Sequence, residues 1–261
     1  MSWAGFKKGF NRAGTTLLQK TGQIERTVDR EFLDEESRFK IFEKNGTALH
    51  KEAKTYLDSL RATTAAQVRI ADTIDHFYSD SSDAALSAHA YKRAVEEIDT
   101  NVSRELDAPY RATVLEPIGR LASYFPEVNN AISKRNKKAL DYDAARNKVK
   151  KFIDKPSDDH VKMQRAEKEA DDAKEIFELI NTQLISELPQ LLDVRVPYLD
   201  PSFEAMVRLQ CKFAEESYEK LANVQRHFPE NVRDDYASGE LDVRVENALQ
   251  DLRTLSICGV A

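Results

Sequence analysis

Apolar residues recur at helical spacing along three long stretches of this chain. In residues 25–78, Val28, Phe32, Phe39, Phe42, Leu49, Ala53, Tyr56 and Leu60 are separated by steps of three, four or seven, with charges between them. No proline interrupts the pattern, and its lone Gly46 is tolerable. At about 1.5 Å per residue such a helix approaches 80 Å, far beyond the usual three turns or so of a globular helix.

SDSSDAALS (residues 79–87) reads as a loop. Over residues 88–152 the stripe Val95, Ile98, Val102, Leu106, Tyr110, Val114, Ile118, Leu121, Phe125, Val128 and Ile132 keeps its phase past Pro109, Pro117 and Pro126. Each proline removes a hydrogen bond and crowds the preceding turn. Kinks in one helix explain the unbroken phase; separate short helices are the alternative. DKPSDD (residues 154–159) is the next turn, with Pro156 as the stop, Ser157 as the cap and Asp158 and Asp159 in the following first turn.

The third stretch, residues 160–228, carries Ala173, Phe177, Ile180, Leu184, Leu188 and Leu191, with prolines at 189, 197 and 201. Asp200 before Pro201 predicts an N-cap, hence a sharp bend or restart. Two long patterns joined by six residues form an antiparallel hairpin, and the first helix packs alongside. The predicted fold is all-α: an elongated antiparallel three-helix coiled coil with kinked long helices. The chain divides into an N-terminal amphipathic segment (residues 1–24), the coiled coil (25–228) and a tail (229–261) with a short amphipathic helix at 241–255.

Composition narrows the function. Glycine and proline number eight each, while 32% of residues are charged, as long helices with few connections require. An apolar share of 41% is too high for a disordered chain. The net charge of -6 disfavours a nucleic-acid binder. Two cysteines make no disulfide framework, and Cys211 reads as part of a packed helix face. No run of about 18 apolar residues spans a membrane, and without a signal-type apolar core the cytosol is the expected compartment. The five histidines (50, 76, 89, 160 and 227) have no metal-ligand spacing, and HExxH, Walker A and GxGxxG patterns are absent. Neither enzyme nor cofactor nor metal is expected.

Two features stand out. In MSWAGFKKGFNRAGTTLLQK, Trp3, Phe6, Phe10, Ala13 and Leu17 share one face of a helix whose only charges are Lys7, Lys8, Arg12 and Lys20. Gly5, Gly9 and Gly14 each cost about 1 kcal/mol relative to Ala, so this helix is weak in water and suited to folding at an anionic bilayer. The residues expected to enter or line the bilayer are Trp3, Phe6, Lys7, Lys8, Phe10, Arg12 and Leu17; a staple docked on the bundle is the alternative. The second feature runs from residue 134 to 155. Lys134, Arg135, Lys137, Lys138, Arg146, Lys148, Lys150, Lys151 and Lys155 face only Asp141, Asp143 and Asp154, an excess of 9 - 3 = +6. A solvated helix face is the bland reading, and Lys137 with Asp141 is a plausible intrahelical pair. An anionic leaflet rewards each basic residue by about 1 kcal/mol. Tyr142 and Phe152 are the only aromatics of the stretch, and they do not interleave with the lysines as a base-stacking platform would need.

MSWAGFKKGFNRAG, KEAKTYLDSLRA (residues 51–62), KRNKKALDYDAAR (134–146), VPYLDPSFEAMVRLQ (196–210) and LQDLRTLSI (249–257) together resemble the amphiphysin/Rvs family of BAR-domain proteins with an N-terminal amphipathic helix. The last two are most similar to the short, BAR-only branch of fungal Rvs, Hob and Bin type. The resemblance implies a crescent-shaped dimer with basic residues on its concave side and tips. It implies membrane curvature sensing and generation in endocytosis and cortical actin organisation, at the plasma membrane and at actin patches. The implied partners are anionic lipids (phosphatidylserine, phosphoinositides), actin-associated proteins, and either a second copy or an SH3-bearing amphiphysin-like BAR protein. Only about thirty residues follow the third helix, so the partner would supply the SH3 domain. A coiled-coil scaffold for actin-associated proteins that touches lipid weakly is the alternative.

Overall fold

Helices make up nearly all of the chain, and their ends follow local chemistry. The computed structural model describes residues 3–78, 83–155 and 160–258. Among them there is no strand. Helix α1 spans Trp3–Lys20 and is followed by a turn in which Gly22 takes a φ of 72°. Helix α2 (Arg30–Phe77, 48 residues) begins where Asp29 caps it: the Phe32 amide donates to Asp29 Oδ1 at 3.1 Å. This is the N-cap bond of a helix whose first amides lack partners. The expected first helix is thus present but starts five residues later. Val28, placed on its stripe, lies before the cap and is exposed.

The second passage starts at Asp83, inside the expected loop, whose residues 79–82 lie outside the described set. It comprises α3 (Asp83–Asn101), a π turn (Val102–Leu106), α4 (Asp107–Tyr110), a second π turn (Arg111–Leu115), α5 (Glu116–Ser123) and α6 (Phe125–Asp154). The prolines explain the pattern. A proline ring collides with the carbonyl four residues back. For Pro109 and Pro117 those carbonyls belong to Glu105 and Thr113, and each sits in one of the π turns. The wide turn relieves the collision. For Pro126 the counterpart is Ala122, and there the chain turns at Tyr124 before α6 begins. Val102, Leu106, Tyr110, Val114, Ile118, Leu121 and Phe125 stay buried throughout, so the prolines distort one continuous passage without ending it.

Helix α7 runs unbroken for 65 residues, His160–Val224, through Pro189, Pro197 and Pro201. The restart expected at Asp200–Pro201 does not occur. The stop, cap and acidic pair expected at residues 156–159 lie outside the described residues. A 3-10 turn (Gln225–His227), α8 (Val232–Ser238) and α9 (Glu240–Thr254) complete the chain, with Gly239 at φ 79° ending α8.

The contacts divide the chain into two compact units, one of residues 1–54 and 112–205, the other of 55–111 and 206–261. The first is centred on Phe32, Phe39, Phe42, Leu121, Phe125, Ile132, Leu184, Leu188 and Leu192. Phe125 meets Phe39 and Phe42 edge-on at 6.1 and 5.4 Å. Gly46 is required here rather than merely tolerated, since a Cβ at that position would lie 2.9 Å from the Phe125 ring. The second unit buries Leu57, Ala71, Val95, Ile98, Val102, Leu106 and Tyr110. Thr64 donates to Asp99 at 2.6 Å, and Lys212 pairs with Glu105 at 2.6 Å. Cys211, expected in a packed face, is exposed. No residue of α8 or α9 is buried.

Two stability tests follow from these details. Gly46→Ala gains about 1 kcal/mol of helix propensity but overpacks a ring held between two others, at about 1–3 kcal/mol. Chemical denaturation should show a net loss, and a gain would mean the ring yields freely. Burial pushes the Asp29 carboxyl up, but hydrogen bonds from Asn181 and the Phe32 amide, with the Arg135 charge, outweigh it and hold it below the usual carboxylate range. Its contribution is therefore complete above the unfolded value of about 4 and lost as pH falls through the lower folded value. Asp29→Ala should cost about 1–2 kcal/mol at neutral pH, and the deficit relative to wild type should shrink on acidification.

Candidate functional site

Helix α6 carries the basic stretch, and its periodicity sorts the nine cations. Ile132, Arg135, Ala139 and Asp143, at steps of three, four and four, form its buried stripe. Lys134, Lys137, Lys138, Lys148 and Lys151 fall on the opposite side, Arg146 and Lys150, seven residues beyond Ala139 and Asp143, fall on the side of the stripe, and Lys155 follows the end of the helix.

Arg135 therefore departs from the expectation that it faces lipid. It is 5% exposed. Its Nε donates to Asn181 Oδ1 at 2.8 Å and Nη1 to Asn136 Oδ1 at 3.1 Å. The guanidinium lies 3.9 Å from the Phe32 ring centre and 4.9 Å from that of Phe177, a cation–π sandwich. Asn181 in turn donates to Asp29 Oδ2 at 2.7 Å, linking α6, α7 and the head of α2. Burial lowers the Arg135 pKa, opposed chiefly by Asp29 and Glu36. It is a core cation.

Two further cations are engaged. Arg146 is half-buried, donates to the Glu25 carbonyl at 3.0 Å and lies 3.6 Å from Asp143. Lys148 is exposed but pairs with Glu169 on α7 at 2.7 Å. Lys134, Lys137, Lys150, Lys151 and Lys155 are exposed, and Lys138 is half-buried. Among the described residues none of these six side chains has a hydrogen bond or ion pair. The pair expected between Lys137 and Asp141 is absent because Asp141 is occupied from elsewhere.

Its occupant is α1, which packs on α6. Arg12 Nε and Nη2 grip Asp141 Oδ1 and Oδ2 at 2.8 and 2.7 Å, a fork-to-fork pair. The Asp141 hydrogen bond raises the Arg12 pKa further. Thr15 is buried against α6, and Gln19 Nε2 donates to Asp143 Oδ2 at 2.7 Å. After the Gly22 turn, Ile24 is buried and Thr27 donates to Asp143 twice, from its hydroxyl at 2.5 Å and its amide at 3.2 Å. Arg12, assigned to the bilayer by sequence, is thus half-buried in a protein contact.

The docked side of α1 is its polar side. Phe10 and Leu17 are 75% and 64% exposed, with Lys8, Ala13 and Lys20 also exposed. Lys8 and Phe10 line the same groove as Lys138 and Lys148, so the cations of α1 and α6 share one surface. The side chains of Trp3, Phe6 and Lys7 lie outside the described residues.

Sequence reasoning missed the binding roles of Asp29, Asn181, Asp141 and Asp143. Periodicity held part of the signal, because Asp143 falls on the buried stripe with Arg135. Among the described residues no cluster suits a metal ion, and no helix is long and apolar enough to cross a membrane.

Comparison with known proteins agrees with this architecture. The family model for the BAR domain matches residues 6–229. Protein hob3 of Schizosaccharomyces pombe is 57% identical over 261 residues, covering all of this chain and 98% of its own. The regulator of cytoskeleton and endocytosis RVS161 of Candida albicans is 44% identical, over 98% of each chain. Among solved structures, the amphiphysin BAR domain from Drosophila superposes with a TM-score of 0.58 at 22% identity, covering 83% of this chain and 96% of that one. The chain belongs to the BAR-domain family, whose members are dimeric membrane-binding scaffolds and not enzymes.

Proposed function

We propose that this chain senses and generates membrane curvature at sites of endocytosis and cortical actin organisation, in the cytoplasm at the inner face of the plasma membrane. The supporting observation is that Lys134, Lys137, Lys138 and Lys151 of α6, unpaired and turned away from its buried stripe, accompany an α1 whose Phe10 and Leu17 are exposed, with Lys138 lining the groove beside α1. Phosphatidylserine and phosphoinositide headgroups would meet Lys134, Lys137, Lys138, Lys150, Lys151 and Lys155. Trp3, Phe6, Phe10 and Leu17 would enter the outer part of the leaflet. The chain would act as a dimer, with a second copy or with an SH3-bearing amphiphysin-like partner. The relative named as a regulator of cytoskeleton and endocytosis supports the cellular setting. Residues 1–24, 25–228 and 229–261 would serve as wedge, body and tail.

Charge is worth about 1 kcal/mol per basic residue at an anionic leaflet. Reversing Lys137, Lys138, Lys150 and Lys151 to Glu should therefore abolish sedimentation with phosphatidylserine vesicles and leave the helical signal intact. Undiminished sedimentation would refute the lysine face, and co-sedimentation with actin filaments but not vesicles would favour the scaffold reading. Arg135→Ala should behave differently. Loss of its hydrogen bonds and ring contacts should lower folding stability by about 1–3 kcal/mol, seen as a reduced melting temperature.

A further inference from the structure

A wedge must be helical before it can present one apolar side, and this one is poorly equipped to be so alone. Gly5, Gly9 and Gly14 disfavour the helix, and its 18 residues only just exceed the length of about 12–15 below which even Ala-rich isolated helices are marginal in water. It is nevertheless helical here, held by Arg12 on Asp141 and Gln19 on Asp143. We infer that Asp141 and Asp143 form a socket that holds α1 on α6 with its apolar side already outward, so that Asp141 is a positioning residue for membrane insertion.

The inference rests on the proposed function and adds how the wedge is prepared. A helix folded only at the lipid spends part of its binding free energy on ordering, and a helix held beforehand does not. The hydrogen bonds of the socket come from the polar side of α1, and Phe10 and Leu17 stay 75% and 64% exposed, so their insertion requires no release of those bonds. It also fixes α1 beside the free lysines, so that charge and wedge reach the same patch of lipid.

Surface charge alone makes the opposite forecast. Asp141→Asn removes an anion beside the lysine face and frees Arg12. If charge decided binding, affinity for phosphatidylserine vesicles would rise by as much as about fivefold. If the socket matters, affinity should fall by about fivefold. The double variant Arg12→Asp with Asp141→Arg rebuilds the pair in reverse and should recover binding to within about twofold of wild type. Arg12→Asp alone should not.

Trp3 is the chain's single tryptophan, so its emission reports insertion directly. Amide exchange of residues 12–20 without lipid gives a second readout, expected to quicken at least about tenfold in Asp141→Asn and in Arg12→Gln, which leaves α6 untouched. Equal or tighter vesicle binding by Asp141→Asn, or unchanged exchange in both single variants, overturns the socket. If wild-type Trp3 emission shifts on vesicles in that case, insertion stands without it. If wild-type emission does not shift at all, insertion and socket fall together.

Discussion

Burial of the Asp143 carboxylate is the constraint on which the α6 surface depends. With 1% of its side chain exposed, it is tolerable as an anion only if its oxygens are partnered. Gln19 and Thr27 supply three hydrogen bonds, and Arg146 stands at 3.6 Å. Every hydrogen bond comes from the segment before α2. One inward carboxylate thus dictates where residues 19–27 run, which places α1 on one side and delivers Asp29 to the head of α2. From there Asn181 and Arg135 carry the same polar chain into the aromatic layer of Phe32 and Phe177.

A single helix therefore serves two sides. The stripe side of α6 joins the core, while Asp141, seven residues from both Lys134 and Lys148, receives α1 on the side that carries the unpaired lysines. The economy depends on how the acids are used. Asp141 and Asp143 bind Arg12, Gln19 and Thr27, so they neutralise little of the lysine face, even though the chain as a whole carries -6. A distant surplus of acidic residues matters little to a headgroup, because screening limits interactions to about 8 Å at physiological salt.

The helices and the effect of the prolines were legible because apolar periodicity survives local distortion. The phase from Val102 to Phe125 announced one continuous passage, although no sequence rule announced π turns rather than simple kinks. Asp200–Pro201 misled for a related reason: a cap signal is local, whereas α7 is held by packing along its length. Arg135 misled because charge was counted along the chain. Counted around the helix, it falls on the stripe of Ile132, Ala139 and Asp143. The KR…LDYD…R motif was recognisable as a family mark, yet its meaning required three dimensions. Lys134 is free, Arg135 is core, Asp141 and Asp143 hold the N-terminal segment, and Arg146 caps its path.

The orientation of α1 carries the strongest physical argument. A surface helix ordinarily turns its apolar stripe to the core and its polar side to water. Helix α1 does the reverse, docking through Arg12, Thr15 and Gln19 while Phe10 and Leu17 face outward. Folding alone gives no reason for that inversion, since exposed apolar surface lowers solubility without adding to the core. An apolar phase outside the protein does give a reason. Amphipathic anchors gain from buried apolar area and from attraction to anionic lipid together, and the inverted helix sets both within one surface. On the proposed function, the lysines would bring the surface to the leaflet, and the apolar side chains already exposed on α1 would need only to enter.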